Sequence, residues 1–277
     1  MDAGDGTSPG GAAVVQPRPA LVKVRAPGRE WWFLPLRILS VVVLLGAWQA
    51  FGGQERSGIE FLPRFSDVVQ GLVSLVQDDE FWRATRDTVQ VLVLGYALTV
   101  VVGIPIGVVM GAKHIVRRAL RPLVGILLAT PIAPLVPILI IMLGIGISAR
   151  VATIFILAVP ILIENTAASV ATVPRRLVDM GHSFGASRRQ LAMAVIVPAS
   201  LPGIFAGLRL AAGRAVVGMV VGELIIASAG LGQLIQLYST TFDAPKLFAT
   251  VVAVLLIGLG AVQLVQIAER RSGRWRR

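Results

Sequence analysis

The sequence predicts an all-α integral membrane protein that crosses a bilayer six times, with both termini in the cytoplasm. Three observations support this prediction. The chain is 55% apolar and only 15% charged, with a mean hydropathy of +0.79, whereas a typical soluble domain is about 25% charged. It contains six charge-poor runs of membrane-spanning length. Its basic residues are concentrated in alternate connections between those runs.

Each predicted span is a run of roughly twenty residues, which is enough to cross a hydrocarbon core about 30 Å thick. The runs are 38–54, 88–112, 122–149, 151–173, 198–222 and 247–268. Trp31 and Trp32 precede the first run, and tryptophan favours the interface between membrane and water. Little more than GIGISAR separates the third run from the fourth, which predicts a tight helical hairpin.

The positions of arginine and lysine predict the orientation. Residues 113–121 carry four basic residues and no acid, and 174–197 carries four basic residues against one acid, Asp179. The connection 55–87 has seven acids against four basic residues. Basic residues concentrate on the cytoplasmic side of membrane proteins, so 113–121, 174–197 and both termini are expected there. Most of the net charge of +11 therefore reflects topology and lipid headgroups, and not nucleic-acid binding.

The same reading divides the chain into five regions. They are a disordered cytoplasmic tail (1–30), a first transmembrane helix (31–54), an extracytoplasmic connection (55–87), a transmembrane core (88–268) and a basic cytoplasmic tail (269–277). Within the connection, FSDVVQGLVSLVQDDEFW has apolar residues at helical spacing. We expect an amphipathic helix on the outer interface, with Ser66 as its N-cap.

The residues needed for enzyme chemistry are missing from the sequence. Cysteine is absent, and no G-x-x-x-x-G-K-[ST] segment is present to cradle a nucleotide triphosphate. The two histidines, His114 and His182, lie in predicted cytoplasmic connections and lack the spacing of metal ligands. We therefore expect neither an enzyme nor a cofactor or metal site. If the chain drives uphill transport, a partner protein must supply the energy.

The cytoplasmic connection 174–197 predicts a helix, a glycine turn and a second helix. Pro174 closes the fourth span, and Gly185 is suited to a left-handed helix stop. Ser187 and Gln190 have the spacing of a capping box, in which each side chain caps the backbone of the other residue. The second helix is expected to run to Pro198, where the chain re-enters the bilayer.

This segment resembles the EAA loop of ABC importer permeases, whose pattern is roughly E-A-A, three residues, Gly, nine residues and I-x-L-P. Aligned on Gly185, the triplet falls on 179–181 and the final proline on Pro198, with Asp in place of Glu and Met-Gly in place of Ala-Ala. Five further segments resemble the nitrate/sulfonate/taurine subfamily: FLPRFSDV, GIPIGVVMG, ATPIAPLVPILIIMLGIG, FAGLRLAAGRAVVGMVVGEL and GLGQLI. The resemblance covers about residues 60–265.

The resemblance implies the type I ABC importer permease fold, in a multi-pass protein of the cytoplasmic (inner) membrane. It implies a homodimer, or a dimer with a close homologue, two ABC ATPase subunits and an extracytoplasmic solute-binding protein. The solute would be small and anionic, such as nitrate, a sulfonate or taurine. The residues expected to couple to the ATPase are Asp179, Met180, Gly181, His182, Ser183, Phe184, Gly185 and Arg188.

Ionisable residues inside predicted spans are functional candidates, because a charge at mid-membrane is energetically expensive. Glu164 and Arg209 lie about nine and eleven residues from the cytoplasmic ends of their spans, so both sit roughly 15 Å deep and are able to pair. One interpretation is a structural ion pair, or residues that face a wet dimer cavity. The other is that Arg209 or Arg214 attracts an anion in the translocation pathway.

Two further patterns mark the predicted spans. Pro131, Pro134 and Pro137 interrupt the third span, and irregular backbone at membrane depth is tolerated only beside protein or a cavity. We therefore place Pro131 and Pro134 near the pathway, together with Glu164, Arg209 and Arg214. Gly218 and Gly222 form a small-xxx-small face, which predicts either a dimer contact or packing within the fold.

Two other functions stay open from the sequence alone. An ATP-independent channel or secondary carrier would need an acid relay or inverted repeats, and neither pattern is found. A membrane scaffold without a transport role leaves the proline-rich span and the intramembrane charges without a purpose.

Overall fold

In the computed structural model, residues 33–53, 55–56, 59–60, 62–226 and 228–272 are described. Apart from one antiparallel pair of two-residue strands, β1 (Glu55–Arg56) and β2 (Ile59–Glu60), the regular structure in these ranges is helical. The helices are α1 (Phe33–Phe51), α2 (Phe65–Val76), α3 (Asp79–Ala112), α4 (His114–Ala129), α5 (Ile132–Leu143), α6 (Ile147–Ala171), α7 (Arg175–Ser183), α8 (Arg188–Leu191), α9 (Val197–Ile226), α10 (Leu231–Thr240) and α11 (Ala244–Ser272). The predicted N-terminal tail, Trp31, Trp32 and the arginines after 272 lie outside the described residues.

Each predicted span is largely helical, although some of these helices are too short to cross a membrane alone. Among the described residues, α3, α6, a continuous helix from Arg189 to Ile226 and α11 are long and apolar enough to do so, and α4 with α5 forms a fifth span if that bent pair counts as one. The apolar part of α1 is shorter, Ile38–Phe51. The chain divides into two units within α1, between Gly46 and Ala47.

The predicted third span, 122–149, is broken within its proline-rich stretch. The chain forms two helices there, α4 and α5, whose axes differ in direction by 102°. Thr130 and Pro131 between them are extended, with ψ of 124° and 126°. Pro131 and Pro134 lack the N–H groups that would continue the ladder from α4, and proline also disfavours helical backbone in the residue before it. The predicted hairpin turn before α6 is present as the three residues 144–146.

Helix α6 is the centre of the fold, because α3 packs along one side of it and α9 along another. At these contacts glycines let the backbones approach so closely that a Cβ atom would meet an α6 atom at 3.0 Å or less in most cases. Small residues are the usual means of close helix packing in a membrane protein, since lipid provides little hydrophobic drive. The glycines that face α6 are Gly95, Gly103, Gly107 and Gly111 on α3, and Gly203, Gly207, Gly218 and Gly222 on α9.

Gly218 and Gly222 therefore serve packing within the chain. A Cβ at Gly218 would lie 2.9 Å from Cα of Ile154, and one at Gly222 would lie 3.4 Å from Cβ of Thr153. Both glycines are buried against α6. Of the two interpretations of this face, packing inside the fold is confirmed, and the dimer contact is wrong for these two residues.

Helices α3 and α2 begin at residues other than the expected ones. In each, a side chain accepts a hydrogen bond from a backbone N–H in the first turn. Helix α3 begins nine residues before the predicted span, where the Asp78 side chain accepts a hydrogen bond from the Glu80 N–H at 2.9 Å. Ser66 is not the N-cap of α2, which begins at Phe65 after an extended Arg64. The Ser66 N–H donates to Gln49 Oε1 at 3.0 Å, so the end of α1 satisfies this donor.

Helix α2 is amphipathic as predicted, and its inner face packs on the following helices. Val68 and Leu75 are buried in the main core cluster. A Cβ at Gly71 would lie 3.0 Å from the carbonyl oxygen of Pro245, at the start of α11. The opposite face, which includes Val73, is exposed.

Adding one methyl group at Gly107 tests the packing of α3 on α6. A Cβ there would lie 2.5 Å from Cβ of Thr166 and 2.9 Å from the carbonyl oxygen of Ile163, neither of which can swing away. We expect Gly107→Ala to lower the stability of the purified protein by about 1–3 kcal/mol, measured by unfolding in detergent. The matched control is Gly125→Ala on α4, where nothing lies within 4 Å. Equal stability of the two variants would contradict the packing.

Candidate functional site

The connection between α6 and α9 begins with α7, which follows α6 after three residues and ends at a glycine stop. Gly185 has φ of +72°, a left-handed backbone that favours glycine. The N–H of Ala186 donates to the Gly181 carbonyl at 3.1 Å, and that of Gly185 donates to the His182 carbonyl at 2.9 Å. These two bonds form a Schellman motif. The predicted helix stop at Gly185 is confirmed.

The predicted capping box is also present. The Ser187 N–H donates to Gln190 Oε1 at 2.8 Å, and the Gln190 N–H donates to Ser187 Oγ at 3.4 Å. This reciprocal pair satisfies two backbone donors at the start of α8 and redirects the chain towards α9. Arg188 is the first residue of α8, and its side chain lies outside the described atoms.

The second helix does not end at Pro198 as predicted. A π-helical turn (Ala192–Ile196) joins α8 to α9, and helix continues through the proline to Ile226. Proline has no N–H to donate into the ladder, and a wider turn just before it accommodates the gap. The short helix α8 and the long helix α9 are therefore continuous through the π-helical turn.

The outer surface of α7 combines apolar and polar side chains. Met180 is 56% exposed and Phe184 is 85% exposed, at the end of the segment farthest along the chain from α6. Asp179 and His182 are exposed beside them, and the Ser183 hydroxyl donates to the Asp179 carbonyl at 3.0 Å.

The inner side of α7 contacts α8 at Gly181. A Cβ at Gly181 would overlap Cδ1 of Leu191, so glycine allows the two helices to approach here. The eight residues expected to couple to an ATPase thus lie on one helix, its glycine stop and the start of the next helix.

The intramembrane charges do not pair as the sequence suggested. Arg209 Nη1 lies 3.2 Å from Glu269 Oε2 on α11, and their side chains are 42% and 28% exposed. The Glu164 side chain forms no hydrogen bond or ion pair within the described part of the chain. The Glu164–Arg209 pair is therefore wrong, because α9 turns Arg209 towards α11. Glu164 stays half-buried on α6.

Arg214 lies on the outer face of α9, together with Leu210 and Val217. It is exposed in the single chain and twelve residues from the end of α9, roughly 18 Å along the helix. Pro131 and Pro134, at the break between α4 and α5, are exposed as well. The sequence-predicted pathway residues are thus spread over α5, α6 and α9, and the described contacts do not bring them into one site.

A buried polar cluster lies at the opposite end of the helices from α7. Glu223 is 2% exposed and Arg150 is 6% exposed, and Arg150 Nη1 lies 3.8 Å from Glu223 Oε1. Glu223 Oε2 accepts from the Thr88 hydroxyl at 3.0 Å and from the Gly232 N–H at 3.1 Å. The Leu231 N–H donates to Thr88 Oγ1 at 2.9 Å. The cluster thereby joins α3, α6, α9 and the start of α10.

Sequence reasoning missed this cluster because it assigned Arg150 and Glu223 to loops. The available signal was their isolation: each is a single charge at the end of an apolar run, where a solvated loop normally has several polar neighbours. Arg150 also donates to the Ala229 carbonyl at 3.2 Å, which holds the turn before α10.

Removing one partner of the Arg150–Glu223 pair is expected to destabilise the chain more than removing both. Glu223→Leu leaves a buried guanidinium without its counter-charge, at a loss of about 3–5 kcal/mol, whereas the Arg150→Met/Glu223→Leu double variant recovers most of it. Unfolding in detergent measures both. Glu269→Leu is the control, because its partly exposed pair with Arg209 should contribute only about 0–1 kcal/mol. A loss at Glu223 no larger than the control would contradict a structural ion pair.

Comparisons with known proteins agree with this architecture. Residues 103–274 match the family described as binding-protein-dependent transport system inner membrane component. A probable ABC transporter permease protein from Brucella melitensis is 31% identical, over 87% of this chain and 97% of the relative. A riboflavin transport system permease protein from Chloroflexus aurantiacus is 30% identical, over 89% of this chain and 91% of the relative. A taurine transport system permease protein from Escherichia coli K12 is 26% identical, over 87% and 89%.

Two solved structures share the fold. A chain of the MetNI methionine ABC transporter, in an inward-facing conformation, superposes with a TM-score of 0.58 at 20% identity, over 69% of this chain and 94% of that chain. A chain of an amino acid ABC transporter gives a TM-score of 0.55 at 16% identity, over 75% and 98%. The chain therefore belongs to the binding-protein-dependent inner membrane component family, the permeases of ABC importers, and has taurine and sulfonate permeases among its relatives.

Proposed function

We propose that this chain is the transmembrane permease subunit of an ATP-driven importer in the cytoplasmic membrane, with no catalytic activity of its own. Two ABC ATPase subunits would bind α7, and an extracytoplasmic solute-binding protein would deliver the solute to the other side. The observation that carries the proposal is the capped helix–turn–helix of α7 and α8, which connects directly to the two central helices, α6 and α9.

The proposed topology has six crossings with both ends in the cytoplasm. Four helices are long and apolar enough to cross alone. The bent pair of α4 and α5 and the shorter α1 supply the other two. This count puts the basic connections, 113–121 and 174–197, on one side of the membrane, as the positive-inside rule requires.

The connections of α7 suggest how ATP binding would move the spans. Three residues link α7 to α6, and on its other side Arg189–Ile226 is one continuous helix. Because α6 and α9 pack through glycines, they resist sliding past each other. An ATPase that pulls on α7 would thus tilt both helices together and open the pathway outward. Hydrolysis would reset them.

The solute pathway is proposed to lie where two copies of the chain meet. A guanidinium facing lipid is expensive, so the exposed face of α9 with Arg214 needs a wet cavity or a partner to cover it. The non-helical backbone at Thr130 and Pro131 has the same requirement. A second copy, or a close homologue, would cover both.

The proposed solute is a small anion such as nitrate, a sulfonate or taurine. Arg214 and Arg209 are the charged side chains proposed to attract it, and Arg209 also forms an ion pair with Glu269. The relatives include permeases named for taurine, aliphatic sulfonates, formylaminopyrimidine and riboflavin, so the proposed anionic class rests on these arginines.

The alternative is an ATP-independent channel or secondary carrier, which would need no ATPase. Affinity purification from membranes separates the two. An importer permease brings an ABC ATPase with it in a one-to-one ratio, and the complex hydrolyses ATP. Purification of the chain without an ATPase under conditions that preserve the fold would favour the alternative.

Changes in α7 and in its glycine stop should uncouple ATP use from uptake. Asp179→Lys reverses the charge at the exposed surface, and Gly185→Pro cannot adopt φ of +72°, since proline is fixed near −65°. We expect both variants to reach the membrane and to lose solute uptake in vesicles. Gly260→Ala on α11, where nothing lies within 4 Å, is the control. Assembly and uptake at the control's rate would show that α7 is not the coupling element.

Neutral substitutions at the arginines test the anionic solute. A hydrogen bond to a charged group contributes roughly 1.5–3 kcal/mol, so Arg209→Gln and Arg214→Gln should each lower uptake about tenfold or more if the side chain binds the anion. Glu269→Gln breaks the same ion pair as Arg209→Gln but keeps the arginine. It should leave uptake unchanged or raise it. Equal losses for Arg209→Gln and Glu269→Gln would assign Arg209 a structural role.

A further inference from the structure

A basic cavity lies at the start of α4, at the end of the molecule that faces the cytoplasm in the proposed topology. Its volume is about 360 Å³, and it is lined by His114, Arg117, Arg118, Arg121 and Pro122. Neither the coupling segment nor the proposed pathway uses these residues.

The cavity has no carboxylate to balance its charge. The sequence has no Asp or Glu between Asp87 and Glu164. Within the described residues, the ion pairs involve other arginines and lysines. Arg117 and Arg121 are four residues apart on one helix, where like charges repel each other. An anion in the cavity would relieve this repulsion.

Arg117 is already held in the cavity wall. Its Nε donates to the Met110 carbonyl at 3.1 Å and its Nη2 to the Gly111 carbonyl at 2.7 Å, at the end of α3. These bonds fix the guanidinium plane without neutralising its charge. Arg118 and Arg121 are exposed, so their side chains are able to close over a bound group.

The wall of the cavity continues into an apolar, exposed helix face. Ile126 lies four residues after Pro122 and Leu128 lies seven residues after Arg121, so both follow the cavity side of α4, and they are 63% and 47% exposed. A ligand that fits both parts has a phosphate at one end and a hydrocarbon chain at the other. Basic pockets beside membrane helices on the cytoplasmic side bind lipid headgroups in this way.

We propose that this cavity binds the phosphate headgroup of an anionic phospholipid, with the acyl chains lying along α4 past Leu128. The site goes beyond the transport function, since it depends neither on the solute nor on the ATPase. Its occupant would hold α4 at the bilayer surface next to the end of α3.

Native mass spectrometry with defined lipids tests the site. The chain is purified with mixed micelles that contain phosphatidylglycerol and phosphatidylcholine of the same acyl chains. The unaltered chain should retain phosphatidylglycerol selectively. Each basic residue near an anionic lipid changes binding about fivefold, so Arg118→Gln/Arg121→Gln should weaken retention about 25-fold. Arg118→Lys/Arg121→Lys keeps the charge and should retain most of the binding.

The matched control removes two exposed arginines at the other end of the molecule, Arg83→Gln/Arg86→Gln, and should leave retention unchanged. Equal retention by the control and the Arg118/Arg121 variant would overturn the proposal. So would displacement of phosphatidylglycerol by millimolar inorganic phosphate, because that result would identify a free-phosphate site. Solute uptake is not part of the readout, so failure here is distinguishable from failure of the proposed transport function.

Discussion

The close approach of α3 and α9 to α6 is the constraint on which the rest of the structure depends. In lipid, helices gain little from burying apolar surface, so packing contacts and polar bonds must hold them together. Glycines on both flanking helices supply those contacts along nearly the whole length of α6. The side chains of Ile154 and Leu162 on α6 fill the space that a Cβ atom would occupy at the facing glycines. The three helices therefore cannot shift in register without steric overlap.

The buried cluster around Glu223 completes this three-helix unit at the end away from α7. Its bonds reach α3 through Thr88, α6 through Arg150 and the turn before α10 through Gly232. Polar bonds thus hold the helices together at one end of the unit, and the exposed α7 lies at the other end. In the proposed importer, such a unit would transmit a displacement of α7 over its length.

Local patterns in the sequence predicted local features well. The glycine stop at Gly185 and the capping box of Ser187 and Gln190 depend on a few neighbouring residues, and both are present. The helices over the apolar runs were predictable in the same way, because hydropathy is also a property of neighbouring residues. The break at Pro131 was visible as a proline-rich stretch, but its size of 102° depends on what packs against α5.

Long-range partners were not predictable, because they depend on how each helix is rotated. Depth alone matched Glu164 with Arg209, whereas the rotation of α9 places Arg209 beside Glu269.

Reconstitution of the purified chain with the proposed ATPase and binding protein tests the importer function. Solute uptake into proteoliposomes is expected only when ATP is supplied on the ATPase side. Uptake driven by an ion gradient with the ATPase absent would contradict it.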